Sequence, residues 1–514
     1  MHNTENNKRI AKNAMFLYFR LLITLGISLY TVRLVLEILG VVDFGIYNVA
    51  GGIVFMMEFL KSSMSASVQR FLSYELGNKN YTQLNKVFSM SINIHILIII
   101  FVLIIAETIG LWFVNTQLII PIDRINAANW VYQFSIFTFI VGLFTTSYNA
   151  VIVSEERMEI YSYVSIFETI VKLAIVLFLY QIEFDKLITY SILISTLSLL
   201  ILIFYIFYCN KNFPSTRYIF ISEKKLFYKL LNFGQWNLFG GIAGVAMGQG
   251  TNILLNIFFG PAINAARGVA YQVGGAINLF VVNLQVAINP QIVKSYAVDD
   301  TKYMHELIFQ GSKFSFYLVY LLCLPILFET EYIFNLWLTN VPEYTIIFTK
   351  LIFISVLIDS LSGSLMTAAQ ASGIIKKYQM IIGGLLLINL PVSYIFLKLG
   401  YPPQVTLFVS IFISIIALFC RLFIVSKLVN ISVILFFKKV LKPVLLIAVL
   451  SPIMPLILKL AIQPSFMSFF LTILLTVLSV TTSIYWFGLA TKEKKYLEQK
   501  MKHILTTLKL LKSV

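Results

Sequence analysis

Charge is scarce in this chain. Only 12% of its 514 residues are Asp, Glu, Lys or Arg, against 59% hydrophobic, and a soluble domain averages about 25% charged. With a mean hydropathy of +0.87, water cannot be its solvent, and apolar runs of the length a bilayer demands recur from end to end. Acid is scarcer than base, with 23 Asp and Glu to 39 Lys and Arg. There are three cysteines, Cys209, Cys323 and Cys420, all in or beside apolar runs. They have no metal-ligand spacing and imply no disulfide framework. The four histidines, His2, His95, His305 and His503, are scattered and form no metal motif. No phosphate-binding loop of the Walker type occurs. These absences exclude a metal centre and ATP hydrolysis as expectations, and no catalytic motif stands in their place. No cofactor is implied. The polar start, Met1 to Lys12, is followed by no small-residue cleavage site, so the first apolar segment is expected to stay as a span.

The net charge of +16 would suit nucleic acid were it on one surface. Its distribution says otherwise. About fourteen spans fit the apolar runs, near 12–38, 43–73, 87–113, 127–153, 160–180, 187–209, 230–258, 262–292, 307–328, 345–371, 378–397, 404–426, 433–458 and 466–489. Alternate connections then carry about 27 Lys and Arg on the side of both termini and about four on the other, namely Arg124, Lys186, Lys398 and Lys459. That is the positive-inside bias, so both termini are expected to be cytoplasmic. No nucleic-acid partner is expected.

The spanning pattern occurs twice. Gly40–Tyr74 returns as Gly260–Tyr296. Leu111-Trp112-Phe113-Val114-Asn115 returns as Leu336-Trp337-Leu338-Thr339-Asn340. Asn149–Ser154 returns as Thr367–Ser372, each followed by a tyrosine, Tyr161 and Tyr378. Four matches in one order, offset by about 217–225 residues, define an internal repeat. The expected organisation is an all-α integral membrane protein. Its first lobe is 1–209 (spans one to six), followed by a linker at 210–229. Its second lobe is 230–428 (spans seven to twelve), followed by two further spans at 429–490. The tail, 491–514, reads as a basic amphipathic helix on anionic lipid, with Leu497, Met501, Ile504, Leu505, Leu508 and Leu511 at helical spacing. An even span count per lobe makes the lobes parallel, with a pseudo-two-fold along the membrane normal.

Charge inside spans costs at least ~2.5–3.5 kcal/mol per residue, so these residues are the candidates for function. Glu168 and Lys172 are spaced as an intrahelical pair. Arg70, Lys313 and Lys350 sit near span ends, where long side chains snorkel. Glu58 and Lys61 lie on one face near the middle of span two. Arg33 and Arg267 sit in the outer parts of spans one and eight, Arg20 lower in span one, and Asp359 alone in span ten. Arg20, Arg33, Lys61 and Arg267 are the expected anion-binding residues, since a guanidinium fork suits phosphate. Glu58 and Asp359 are candidates for coupling or for a cavity salt bridge. In span seven, the spacing of Gly240, Gly244 and Gly248 predicts a smooth face for close packing.

Two stretches resemble a known family. The run Arg33–Tyr47, with its Leu39-Gly40…Phe44-Gly45-Ile46-Tyr47 turn, resembles the first hairpin of bacterial polysaccharide transporters. Phe259–Val273, with Asn289-Pro290-Gln291-Ile292-Val293-Lys294-Ser295-Tyr296, resembles span eight of lipopolysaccharide-type oligosaccharide flippases. Both groups lie in the multidrug/oligosaccharidyl-lipid/polysaccharide (MOP) superfamily. The resemblance implies a MATE-like fold in a bacterial inner membrane. It implies a flippase that moves undecaprenyl-diphosphate-linked oligosaccharide, an O-antigen, capsule or exopolysaccharide unit, to the periplasmic leaflet by alternating access. Membrane lipids, a polysaccharide polymerase and chain-length machinery would be its partners. A cation-driven multidrug exporter of the same architecture is the second reading, with Glu58 as its acid. A membrane glycan polymerase or acyltransferase is the third, and it would need a catalytic loop or a surface histidine.

Overall fold

The computed structural model describes residues 2–55, 57–116, 120–259, 261–337, 341–461, 465–491, 493–495 and 498. Among them every regular element is helical. Thirteen helices are long and apolar enough to cross a membrane, against about fourteen expected. The difference is the second expected span. Helix Glu58–Gly77 carries Glu58, Lys61, Arg70 and Glu75 within 20 residues, too polar to pass as a span by composition. Large apolar side chains remain exposed along the helices, Ile104 by 60%, Phe412 by 64% and Leu474 by 58%. Such surfaces need lipid rather than water against them. The tail residues Leu497 and Met501 to Leu511 lie outside the described residues, as do Gly260 and Leu338-Thr339-Asn340 of the repeat.

The breaks in the helices have local causes. Helix His2–Phe55 kinks at Gly40, whose φ of 77° and ψ of 169° belong to a region a Cβ disfavours. The helix Tyr81–Ile105 widens into a π-turn at Ala106–Gly110. There the carbonyl of Ala106 accepts a 2.8 Å hydrogen bond from the Tyr132 hydroxyl, a side chain inserted into the ladder. The π-turn Phe437–Leu441 ends two residues before Pro443, which has no N–H to continue the α-helical pattern.

The chain packs as two compact units. The first comprises Met1–Met247, Asn283–Leu307 and Met366–Leu387; the second comprises Gly248–Val282, Ile308–Leu365 and Ile388–Val514. In the first, apolar faces of helices Glu58–Gly77, Tyr81–Ile105, Ile125–Ser154 and Lys186–Asn212 share a core including Val68, Phe88, Ile152 and Tyr205. The stretch expected as a linker is tied to this core. Asn85 donates to the carbonyls of Ser215 and Arg217 at 2.9 and 2.8 Å, and Asn93 to that of Ile221 at 3.0 Å. In the second unit, Leu255, Ala266, Ala270, Phe348 and Ile352 form a smaller core.

Two expectations change. Gly244 and Gly248 have no heavy atom within 4 Å of the place a Cβ would occupy, apart from their own helix, whereas Gly240 lies against Gln379. Close packing therefore holds at Gly240 and not along the whole glycine stripe. Lys313 does not snorkel. It is buried and paired with Glu493 at 2.8 Å.

Candidate functional site

Five features of the structure bear on function. The first is a cavity of about 440 Å³ in the first unit, bounded by helices Glu58–Gly77, Ile125–Ser154 and Lys186–Asn212 with the end of His2–Phe55. Glu58 and Lys61 are three apart on one helix, so their heads meet, and Lys61 Nζ donates to Glu58 Oε1 at 2.6 Å. The ammonium also lies 5.7 Å from the centre of the Phe139 ring. The opposite wall is hydroxylic. Thr138 and Ser195 share a 2.9 Å hydrogen bond, and Ser135 and Ser191 complete it. Gly142 leaves room for the lysine, since a Cβ there would lie 2.7 Å from Nζ. Among the described residues the cavity holds one acid and one base paired together, with neutral donors and acceptors around them. It is a polar chamber of balanced charge.

The second feature is a set of arginines that meet no carboxylate. Arg20 donates to Asn283 Oδ1 at 2.8 Å and lies 4.8 Å over the Tyr161 ring. Its Nε is buried without a partner. In the second unit, Arg267 is 5% exposed. It donates from Nη1 to Asn252 Oδ1, covers the Tyr271 ring at 4.3 Å, and keeps Nε buried and unpartnered. Among the described residues neither guanidinium forms an ion pair. A buried cation with free donor capacity is costly on its own, and an anion is the natural complement. Arg33 is exposed and makes no ion pair among the described residues.

Asp359 belongs to a third cluster. It hydrogen-bonds with Ser414 and feels the charge of Arg421, which itself donates to Ser362 at 3.0 Å. Arg421 counts as a loop cation in the sequence, yet it lies inside helix Val405–Val429. Of the six expected site residues, only Glu58 and Lys61 are joined by a hydrogen bond or ion pair. Arg20, Arg33, Arg267 and Asp359 each have other surroundings.

The fourth feature was not foreseen. Glu156 sits in the turn after helix Ile125–Ser154 with a φ of 61°, and its side chain is fully buried. Three donors converge on it. Arg9 reaches it at 2.8 Å, Gln291 at 2.7 and 2.8 Å, and Lys294 at 2.6 Å. Beside it the two copies of the sequence repeat meet at their ends. Tyr74 and Tyr296 have ring centres 6.5 Å apart, and a Cβ on Gly77 would lie 2.8 Å from Lys294 O. Arg70, expected to snorkel, is instead buried and donates to the carbonyls of Gln370 and Ala371 at 3.1 and 2.7 Å. It caps the end of helix Gly363–Ser372, where carbonyls lack helical partners. The sequence signal was weak: two adjacent glutamates after one copy of the repeat, and an arginine just before Ser73-Tyr74.

The fifth is an ion cluster around Arg124, one of the few basic residues expected outside the cytoplasm. It pairs with Asp43 at 2.5 Å and with Asp185 at 2.5 Å. Burial pushes the Asp185 carboxyl up, but Arg124 and the N–H groups of Ile188 and Leu187 outweigh it and hold the group below its usual range.

No protein-family model matches the chain, and no curated protein matches it. Solved structures do. A MATE protein in its straight conformation superposes with a TM-score of 0.71 at 11% identity, covering 83% of this chain and 97% of its own. An outward-facing multidrug resistance MATE family transporter of the MOP superfamily gives 0.70 at 11% identity, covering 82% and 96%. The chain has the fold of the MATE transporters. A MOP superfamily transporter from Pyrococcus furiosus, described by the reverse polarity of its binding pocket, gives 0.64 at 11% identity, covering 82% and 96%. The MATE fold confirms the all-α membrane architecture expected from hydropathy, and it spans nearly the full length of these structures.

Proposed function

We propose that the chain is a flippase that carries undecaprenyl-diphosphate-linked oligosaccharide from the cytoplasmic to the periplasmic leaflet of a bacterial inner membrane. One observation carries this reading: the buried guanidinium of Arg267 has an unpartnered Nε and, among the described residues, no carboxylate partner. A diphosphate supplies the missing charge and acceptors, and a guanidinium binds it through paired donors. The MATE fold supports a transporter rather than an enzyme. In the proposed cycle Arg20 and Lys61 meet the diphosphate from the cytoplasmic side, the sugars enter the polar space, and the prenyl chain stays in lipid. The two lobes of the repeat, 1–209 and 230–428, then rock to alternate access, and Arg33 and Arg267 serve release. The linked sugars would pass to a polysaccharide polymerase and chain-length machinery.

Arg33→Ala and Arg267→Ala are expected to lower surface polysaccharide several-fold while the protein remains inserted. Surface staining beside an immunoblot of membranes checks this. Full polysaccharide in both variants would remove these residues from the cycle.

The cavity at Glu58 favours a second reading, a cation-driven multidrug exporter. Glu58 is already held by Lys61 at 2.6 Å, so a coupling cation would have to displace an ammonium. Drug efflux from an expressing strain, lost in Glu58→Gln, would favour the exporter.

A further inference from the structure

A second cavity of the first unit has a charge balance unlike that of the Glu58 chamber. It measures about 460 Å³ and is lined by three cations, Arg70, Lys229 and Lys376, with Asn232, Tyr74 and Trp236 among its other walls. Among the described residues no carboxylate lines it. Two of the cations come from different helices, Lys229 from Lys224–Phe259 and Lys376 from the first residue of Lys376–Lys398. None of the three forms an ion pair among the described residues. Aromatic faces hold them in place instead. Lys376 Nζ lies 5.2 Å from the Trp236 ring centre, Lys229 Nζ 5.5 Å from that of Phe71, and the Arg70 guanidinium 4.9 Å from that of Tyr74. Arg70 spends Nε and Nη2 on carbonyls, which fixes its plane beside the cavity.

We infer that this cavity is a binding site for a diphosphate group. Three converging positive charges, with Glu75 near enough to act on Lys229 and Arg70, leave a net positive charge for a diphosphate, and a planar donor fixed beside two ammoniums suits several oxygens at once. The start of the long helix Lys376–Lys398 adds its own positive end. The volume exceeds that of a bare diphosphate, leaving room for the group it is attached to. All three cations belong to the side expected to be cytoplasmic. Naming a lipid-linked diphosphate as the ligand rests on the flippase reading; a soluble diphosphate shares the chemistry.

The test uses the full chain in phosphatidylcholine nanodiscs, titrated calorimetrically with inorganic pyrophosphate. Two double variants remove equal charge: Lys229→Gln/Lys376→Gln inside the cavity and Lys224→Gln/Lys225→Gln on the same basic stretch outside it. The inference predicts binding that weakens at least tenfold in the first variant and less than twofold in the second. No binding by the wild type, or equal weakening in both variants, overturns it. A further arm places undecaprenyl diphosphate in the nanodisc. Competition with pyrophosphate supports the membrane source, and undiminished pyrophosphate binding supports a soluble one. Failure of the site leaves lipid sidedness in cells dependent on the protein. Failure of the flippase reading leaves the variant-sensitive pyrophosphate binding intact.

Discussion

Gly142 shows how one side chain can be decided by the space beside it. A methyl group there would sit 2.7 Å from Lys61 Nζ and 2.9 Å from its Cε, so Gly142→Ala must push the lysine away from Glu58. The half-exposed pair contributes little by itself, and the variant is expected to lose only about 1 kcal/mol of stability by thermal unfolding in detergent. Transport is expected to fall further than stability. Equal transport at unchanged expression would mean the pair has no part in it. The residue-level reading of the sequence worked where both partners are close along the chain. Glu168 with Lys172, at 2.6 Å, follows from helical spacing alone, whereas Lys61, expected to bind an anion, is paired with Glu58 at 2.6 Å. It failed where the partner is remote. Lys313 looked like a snorkelling end because Glu493, its partner, is 180 positions away.

At the scale of elements, Glu156 ties the turn after helix Ile125–Ser154 to helices His2–Phe55 and Pro261–Ala297 through one carboxylate. Removing a partner from a buried ionic cluster strands the rest, typically costing about 3–5 kcal/mol. Glu156→Ala should therefore lower the thermal midpoint clearly, while Glu159→Ala, on an exposed pair with Arg157 at 3.4 Å, should barely move it. Similar midpoints in both would contradict the cluster's role. Nothing in the sequence revealed this hub, because its three donors come from segments that meet only in the fold. The Arg124 cluster gives a pH test. Asp185 has a folded-state value below its ordinary 3.8, so its ionised form is favoured by folding. The stability it supplies is complete well above pH 3.8 and is lost as pH falls through the lower folded value. Wild type is expected to lose this increment on acidification, and Arg124→Gln to lose less between neutral pH and pH 3. Parallel acid profiles would contradict it. Most helices were legible from apolar length. Helix Glu58–Gly77 was expected as part of the second span, and its charges keep it out of the helices apolar enough to cross a membrane by composition.

For the whole molecule, the all-helical membrane architecture was legible in apolar runs that recur over the entire length, whereas the MATE-like fold was implied by the family resemblance. The chemistry of the site was less legible. Charged residues in spans announced themselves through their cost in lipid, but which of them share a cavity depends on helix rotation, which hydropathy does not encode. Hence Lys61 and Glu58 line one chamber, whereas the diphosphate-compatible cavity at Arg70, Lys229 and Lys376 draws on two loop lysines and an arginine expected to snorkel. The central claim is that this protein turns a lipid-linked oligosaccharide across the membrane. The most direct measurement is the leaflet sidedness of undecaprenyl-linked oligosaccharide in cells depleted of the protein and lacking any redundant flippase. The account predicts accumulation on the cytoplasmic face, reversed by re-expression. Unchanged sidedness would contradict it and turn attention to drug export and Glu58.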